Sequence, residues 1–232
     1  MPHGYRAVLL DALGTLVQLE PPWPLLRGTL AKRHAIEVSE VDAKRAMLAE
    51  MAYYRAHHRE GRDSAGLADL RRRCALVLQE NLPATVELEP DQVTEALLDS
   101  LRFVPFPDAA PSLAALRGAG LRLAIVSNWD CSLRAMLAEL GLAAAVDAVV
   151  VSAEIGAAKP DPVIFREALG RLRCGPDEAL FVGDSLETDV IGARAAGLRA
   201  LLLDRAPSGM DRDGLERIFS LSDLIELVEA RV

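Results

Sequence analysis

The chain is poor in cysteine, in positive charge and in long apolar runs, and each shortage closes off a class of protein. Its 232 residues include three cysteines, Cys74, Cys131 and Cys174, scattered with no close pair, which argues against a disulfide framework and a cysteine metal knuckle. They read as reduced thiols. Asp and Glu outnumber Lys and Arg by 34 to 26, a net charge of -8. That balance argues against a broad surface for nucleic acid or for an anionic membrane, while a local basic pocket stays compatible with it. No apolar run approaches the ~20 residues of a membrane-spanning helix. The opening Met1-Pro2-His3-Gly4-Tyr5-Arg6 leads straight into a strand-like run rather than a secretory signal, so the cytoplasm is the expected location. There is no internal repeat and no low-complexity tract. A hydrophobic content of 51% and a charged content of 26% describe an ordinary globular protein, long enough for one large or two modest domains.

From Ala109 onward, apolar strand-like runs alternate with amphipathic helical patterns. Leu121 to Val126, Ala148 to Val151, Ala179 to Val182 and Arg199 to Leu203 read as strands, and this alternation predicts βαβ units in a mostly parallel sheet. The first strand, Arg6 to Leu10, joins that sheet from a distance. Asp130 and Asp161 stand where helix caps are expected, before Cys131 to Leu140 and before Val163 to Leu172. Gly118, Gly120, Gly141 and Gly197 supply turns after helices. Leu221 to Val232 reads as an amphipathic closing helix with Ser222 as its cap. Between the first strand and this array, roughly residues 17–102, the pattern is helical without convincing strands, as in Val41, Met47, Leu48 and Met51 or Leu67, Leu70, Cys74 and Leu78. Proline-rich stretches bracket this insertion, Glu20-Pro21-Pro22-Trp23-Pro24 on one side and Phe103-Val104-Pro105-Phe106-Pro107-Asp108 on the other, and their restricted backbones suit hinges.

Four short stretches carry chemistry-bearing residues. Val8-Leu9-Leu10-Asp11-Ala12-Leu13-Gly14-Thr15 ends a strand in a carboxylate and a glycine turn, so Asp11 emerges at the carboxyl end of a strand, where open α/β sheets build their sites. Ser127 and Asn128 follow the strand ending at Val126 and face the same edge. Lys159 precedes Pro160, a pairing that restricts the local backbone to extended conformations. Gly183-Asp184-Ser185-Leu186-Glu187-Thr188-Asp189 follows another strand. Taken singly, each has a plain structural explanation: Thr15 as a turn residue, Asn128 and Asp130 as helix caps, Lys159 as a solvated surface charge.

As an ordered set they resemble the four motifs of the haloacid dehalogenase-like hydrolase superfamily, and their spacing spans about the whole chain. The resemblance implies an α/β fold: a doubly wound, mostly parallel, Rossmann-like sheet core at residues 1–17 and 103–232, with an inserted all-helical cap at 18–102. It implies that Asp11 is a nucleophile, that Lys159 offsets charge between nucleophile and phosphate, and that Thr15, Ser127 and Asn128 bind phosphate together with backbone N–H groups around Leu13 and Gly14. Carboxylates converging with Asp11 repel one another unless a hard cation compensates. Magnesium is the expected ion, on Asp11, Asp184 and the backbone carbonyl of Leu13, with Asp189 supporting those ligands. The expected substrate is a small phosphorylated metabolite, with no nucleic-acid or membrane partner, and the expected state is monomer or homodimer.

One position departs from the phosphatase pattern. Such members carry a second Asp two residues after the nucleophile as general acid and base, and here that residue is Leu13, which has no proton to give. Tyr53, Tyr54, His57 and His58 are the candidates for a replacement, against a plain reading as a helical surface or packing stripe. Arg27, Arg45, Arg55 and Arg59 are candidates for recognising an anionic substrate, against a reading as solvated helix charges. Two rival functions follow from Leu13. One is a haloacid dehalogenase, whose leaving halide needs no proton, but such enzymes resemble Asp-X-Tyr-Gly-Thr in the first motif rather than Asp-X-Leu-Gly-Thr and lack the Gly-Asp metal motif that Gly183-Asp184 preserves here. The other is a phosphate-binding or regulatory protein with weakened turnover.

Overall fold

Val8, Leu9 and Leu10 are apolar on both faces of their strand, the pattern of a strand covered from both sides, and they lie at the centre of a six-stranded parallel sheet. The computed structural model describes residues 4–206 and 215–229. Its contacts divide the chain into two units, residues Met1–Gln18 with Pro105–Val232, and Leu19–Val104.

The first unit begins with β1 (Ala7–Leu10) and the opening of β2 (Val17–Leu19). The second unit holds four helices: α1 (Pro22–His34), α2 (Glu40–His57), α3 (Ser64–Asn81) and α4 (Pro90–Ser100). Leu26, Leu30, Met47, Leu70, Cys74, Leu78 and Leu97 form its buried core. Ser39 caps α2 by accepting from the Asp42 N–H, and Asp63 caps α3 by accepting from the Gly66 N–H. The chain then re-enters the first unit through β3 (Phe103–Pro105), which pairs with β2. Residues 17–102, which show no convincing strand in sequence, do open on β2, whose three residues are too few for a period-2 signal. β3 likewise occupies a proline-rich stretch that reads from sequence as a hinge alone.

The rest of the first unit alternates as the βαβ pattern predicts. In chain order it runs α5 (Ala109–Gly118), β4 (Arg122–Ser127), α6 (Leu133–Glu139), β5 (Ala148–Val151), α7 (Ser152–Ile155) and α8 (Pro162–Leu172). Then come β6 (Ala179–Gly183), a π-helical turn (Leu186–Ile191), α9 (Gly192–Ala195), β7 (Arg199–Leu203), β8 (Arg217–Ile218) and α10 (Leu221–Glu229). The sheet order is β5-β4-β1-β6-β7-β8, with every described pairing parallel. Numbered by its own six strands this is 3-2-1-4-5-6, the doubly wound order whose switch point lies between the first and fourth strands, here β1 and β6. On one face Leu9, Val126 and Phe181 pack against Ile164, Phe165 and Leu172 of α8, with the Phe165 and Phe181 rings edge-on at 5.1 Å.

Asp161 caps α8 as expected, accepting from the Val163 N–H. Two other caps differ from expectation. Asp130 takes the Ser132 N–H in a turn, and α6 starts only at Leu133. Ser222 lies inside α10, whose entry is instead held by the Asp223 carboxylate, which accepts from the Phe219 and Ser220 N–H groups. Residues 230–232 of the expected closing helix lie outside the described residues. Among the described residues no helix is long and apolar enough to cross a membrane.

Candidate active site

The switch point brings the carboxyl ends of β1 and β6 side by side, because Leu10 pairs in register with Val182. Asp11 leaves β1 and Asp184 leaves β6 at that edge, and Asp189 follows within the π-helical turn. Carboxylate oxygens of all three lie within 4.8 Å of one another. Asp11 and Asp189 are buried and Asp184 is exposed.

Two glycines make this approach possible. A Cβ on Gly14, whose φ is +86°, would stand 2.0 Å from Asp184 Oδ2, and one on Gly183 would stand 2.4 Å from the carboxylate carbon of Asp189. Real Cβ atoms do not approach that closely, and a positive φ favours glycine in any case. The wide π turn places Asp189 back toward the strand it left, with its Oδ2 accepting from the Ser185 N–H at 3.0 Å.

Lys159 is the cation among these acids. Its buried ammonium bonds Asp11 Oδ1 and lies 2.7 Å from Asp189 Oδ1. Asn128 fixes the lysine's backbone on both sides: its Oδ1 accepts from the Lys159 N–H at 2.7 Å, and its Nδ2 donates to the Lys159 carbonyl at 2.9 Å. The Lys159–Pro160 peptide is cis. Ser127, at the end of β4, donates its hydroxyl to Asp11 Oδ1 at 3.2 Å.

Three carboxylates facing one ammonium leave surplus negative charge in a poorly solvated place. Burial raises the Asp11 pKa, with Asp189 and Asp184 adding to the rise and Lys159 opposing it. Asp184 is exposed as a residue, yet desolvation of its carboxyl on the side facing the cluster, and then Asp189, push its pKa upward, against Lys159 and Arg205. Burial alone would lower the Lys159 pKa, yet Asp11 and Asp189 outweigh it and the lysine holds its proton above the usual range. A hard divalent cation is the natural counter-charge for such a set of oxygens, so magnesium fits the donors present.

The structure thus brings Asp11, Ser127, Lys159, Asp184 and Asp189 to one spot. Other sequence candidates stand differently. Leu13 is 37% exposed on the loop after Asp11, an apolar side chain where the phosphatase pattern has an acid. Thr15 is fully buried, its hydroxyl without a hydrogen-bond partner among the described residues. The Gly14 N–H donates to Val17 O at 2.8 Å inside the loop and is not free for a phosphate oxygen. Both polar atoms of the Asn128 side chain are turned to Lys159, so it neither caps a helix nor presents its carbonyl to a ligand.

In the helical unit, Tyr53 stacks on His57 with ring centroids 4.0 Å apart, and its hydroxyl accepts from Arg73. His57 Nδ1 pairs with Tyr53 O and His58 Nδ1 with Arg55 O. Arg27 donates to Val38 O, and Arg45 donates to Asn81 O while pairing with Asp42. Arg205, which no sequence motif marks, sits two residues beyond β7 and donates to Thr15 O at 2.7 Å. Its only signal in the sequence is its place after a strand, at the same sheet edge.

The family model for haloacid dehalogenase-like hydrolases matches residues 5–197. The chain belongs to that family. Among relatives of this haloacid dehalogenase-like chain, a ribulose-1,5-bisphosphate 5-phosphatase from Halopiger xanaduensis is 34% identical over 96% of this chain and 98% of its own length. A phosphoserine phosphatase from Thermus thermophilus is 42% identical over 116 residues, which span 49% of this chain and only 47% of that protein. A haloacid dehalogenase-like hydrolase domain-containing protein 3 from Mus musculus is 32% identical over 88% of this chain. Of solved structures, a HAD phosphatase from Thermococcus onnurineus matches with TM-score 0.66 and 27% identity over 98% of this chain and all of its own. A 2-haloacid dehalogenase from Pseudomonas syringae matches with TM-score 0.66 and 25% identity over 98% of this chain and 99% of its own.

Proposed function

We propose that this hydrolase is a magnesium-dependent phosphatase of small phosphorylated metabolites, working through an aspartyl-phosphate on Asp11, with the helical unit as its cap. The observation that carries the reading is the meeting of Asp11, Asp184 and Asp189 around a single ammonium at the sheet's switch point. Relatives named as phosphatases support it. Asp11, Asp184 and the Leu13 carbonyl would hold magnesium, with Asp189 supporting them. When bound, the ion would offset the charge of the phosphoryl group and of the carboxylates.

In the chain's own chemistry, a carboxylate oxygen of Asp11 attacks phosphorus in line, and the bond to the leaving oxygen breaks. Lys159 and Ser127 hold Asp11 and balance charge as it builds. Water then attacks phosphorus, releasing phosphate and restoring the carboxylate. Because Leu13 offers no proton, the leaving oxygen departs as an anion and is protonated by solvent. Aryl and acyl phosphates, whose leaving groups are already acidic, are therefore the expected good substrates. General acid–base help is worth about 10²–10⁴-fold, so Leu13→Asp is expected to raise kcat on alkyl phosphates by at least tenfold. No gain would mean that the missing acid is not what limits the reaction.

A dehalogenase is the second reading, favoured by the aprotic Leu13. A panel of phosphate esters and 2-haloacids, run with and without magnesium on the parent and on Asp11→Asn, separates the two. Magnesium-dependent phosphate release lost in Asp11→Asn is the expected result. Chloride release from 2-chloropropionate without magnesium reverses the order, and tight phosphate binding with no turnover across the panel leaves a binding protein.

A further inference from the structure

Arg205 closes a clasp on the loop that follows Asp11. Its guanidinium forks onto Asp108, at 2.9 Å to Oδ1 and 3.0 Å to Oδ2, and Nη2 also donates to the Thr15 carbonyl at 2.7 Å. The guanidinium carbon lies 3.8 Å from the centre of the Phe106 ring. Asp108 is held in turn by the Leu221 N–H at the entry of α10, 2.8 Å from Oδ2, and the Phe106 N–H donates to Leu16 O at 3.0 Å. Three segments distant in sequence therefore converge beside one loop, and both charged side chains are largely buried, 19% and 16% exposed.

The loop needs such an outside tie. Its internal bonds converge on two carbonyls: Thr15, Leu16 and Val17 N–H groups donate to Ala12 O, the first of them at a long 3.3 Å, and the Gly14 N–H donates to Val17 O. Gly14 at positive φ is the residue type that restrains backbone least. Only a planar, multi-donor group can grip a carboxylate with two nitrogens while giving a further hydrogen to a carbonyl, so a lysine could not replace it.

We infer that Arg205, anchored by Asp108, is a positioning residue that fixes the backbone of the Leu13–Thr15 loop against Asp11 and Asp184. The inference rests on the phosphatase reading for its kinetic consequence, though the loop tie itself does not. The test compares parent, Arg205→Met, Arg205→Lys and Asp108→Asn in the full chain. It measures amide hydrogen exchange, kcat and KM on p-nitrophenyl phosphate with magnesium, and calorimetric binding of inorganic phosphate. Exchange in residues 12–17 is expected to quicken in all three variants while α2 and α3 stay as in the parent. kcat is expected to fall ten- to roughly a hundredfold, as misplaced catalytic backbone does, with KM changing less than about threefold, and Lys is not expected to rescue it. Folded variants with unchanged exchange and kcat overturn the inference, and so does faster exchange spread across the whole α/β unit, which marks a general staple. Should Arg205→Met fail to fold, the near-isosteric Asp108→Asn decides. A parent that neither turns over nor binds phosphate sinks the phosphatase reading instead, and the exchange comparison still judges the tie.

Discussion

Lys159 shows how much a single residue does at this sheet edge. Its ammonium is buried between two carboxylates, so its contribution is the difference between an ion paired and an ion stranded. Lys159→Met would leave Asp11 and Asp189 facing each other and Asp184 with no cation between them. Breaking such a pair costs about 3–5 kcal/mol, which a urea melt of the variant should show. Losing charge stabilisation at the reacting group is worth about 10²–10³ in kcat. A variant that keeps its stability and loses less than tenfold in kcat would show that the lysine does not balance the charge of Asp11, the proposed nucleophile. Lys159 was legible because its motif neighbours are in register along the chain. Asn128 was legible as a residue but not in its role, since a clamp on another residue's backbone 31 positions away leaves no periodicity to read.

At the scale of the element, the π-helical turn after β6 is what returns Asp189 to the site, and Gly183 is its condition. Gly183→Ala would drive a methyl into the Asp189 carboxylate, which has the Ser185 N–H and Lys159 on its other sides. Overpacking of this kind costs about 1–3 kcal/mol, and by displacing the carboxylate it should also weaken the magnesium-dependent turnover proposed for this site. Gly118→Ala, where the added carbon meets nothing within 4 Å, is the matched control and should leave both unchanged or slightly stabilise α5. Equal behaviour of the two variants in melts and rates would refute the role given to Gly183. Elements of this unit were legible wherever length gave a pattern: four- to six-residue apolar runs announce β1, β4, β5, β6 and β7. Two- and three-residue strands such as β2, β3 and β8 carry no such signal, because their existence is decided by the partner strand. The π turn was equally invisible, since it differs from an α-helix by hydrogen-bond register rather than by residue type.

At the scale of the whole molecule, the chain separates into an α/β unit that gathers acids around a cation and a helical unit that buries one acid without a cation. The switch point was legible in outline, because alternating strands and helices with a carboxylate after the first strand imply a site at the carboxyl edge. The interior of the helical unit was not, since a glutamate on an amphipathic helix reads as a surface residue. Glu50 is only 4% exposed, and burial pushes its carboxyl from 4.5 up to about 7, with the Cys74 thiol as a partial counterweight. Between those two values the unfolded chain has released this proton while the folded chain still holds it, so stability falls as pH rises from about 4.5 to 7 and stays lowered above. At ~1.4 kcal/mol per pH unit the penalty amounts to roughly 3 kcal/mol. Glu50→Gln removes it, so the variant should exceed the parent in urea melts at pH 8 and lose that advantage at pH 5. Comparing variant with parent at each pH cancels the contribution of Asp11, which shifts in the same direction in both. A gap between the two proteins that is equal at pH 5 and pH 8 would mean that Glu50 is already ionised in the folded helical unit.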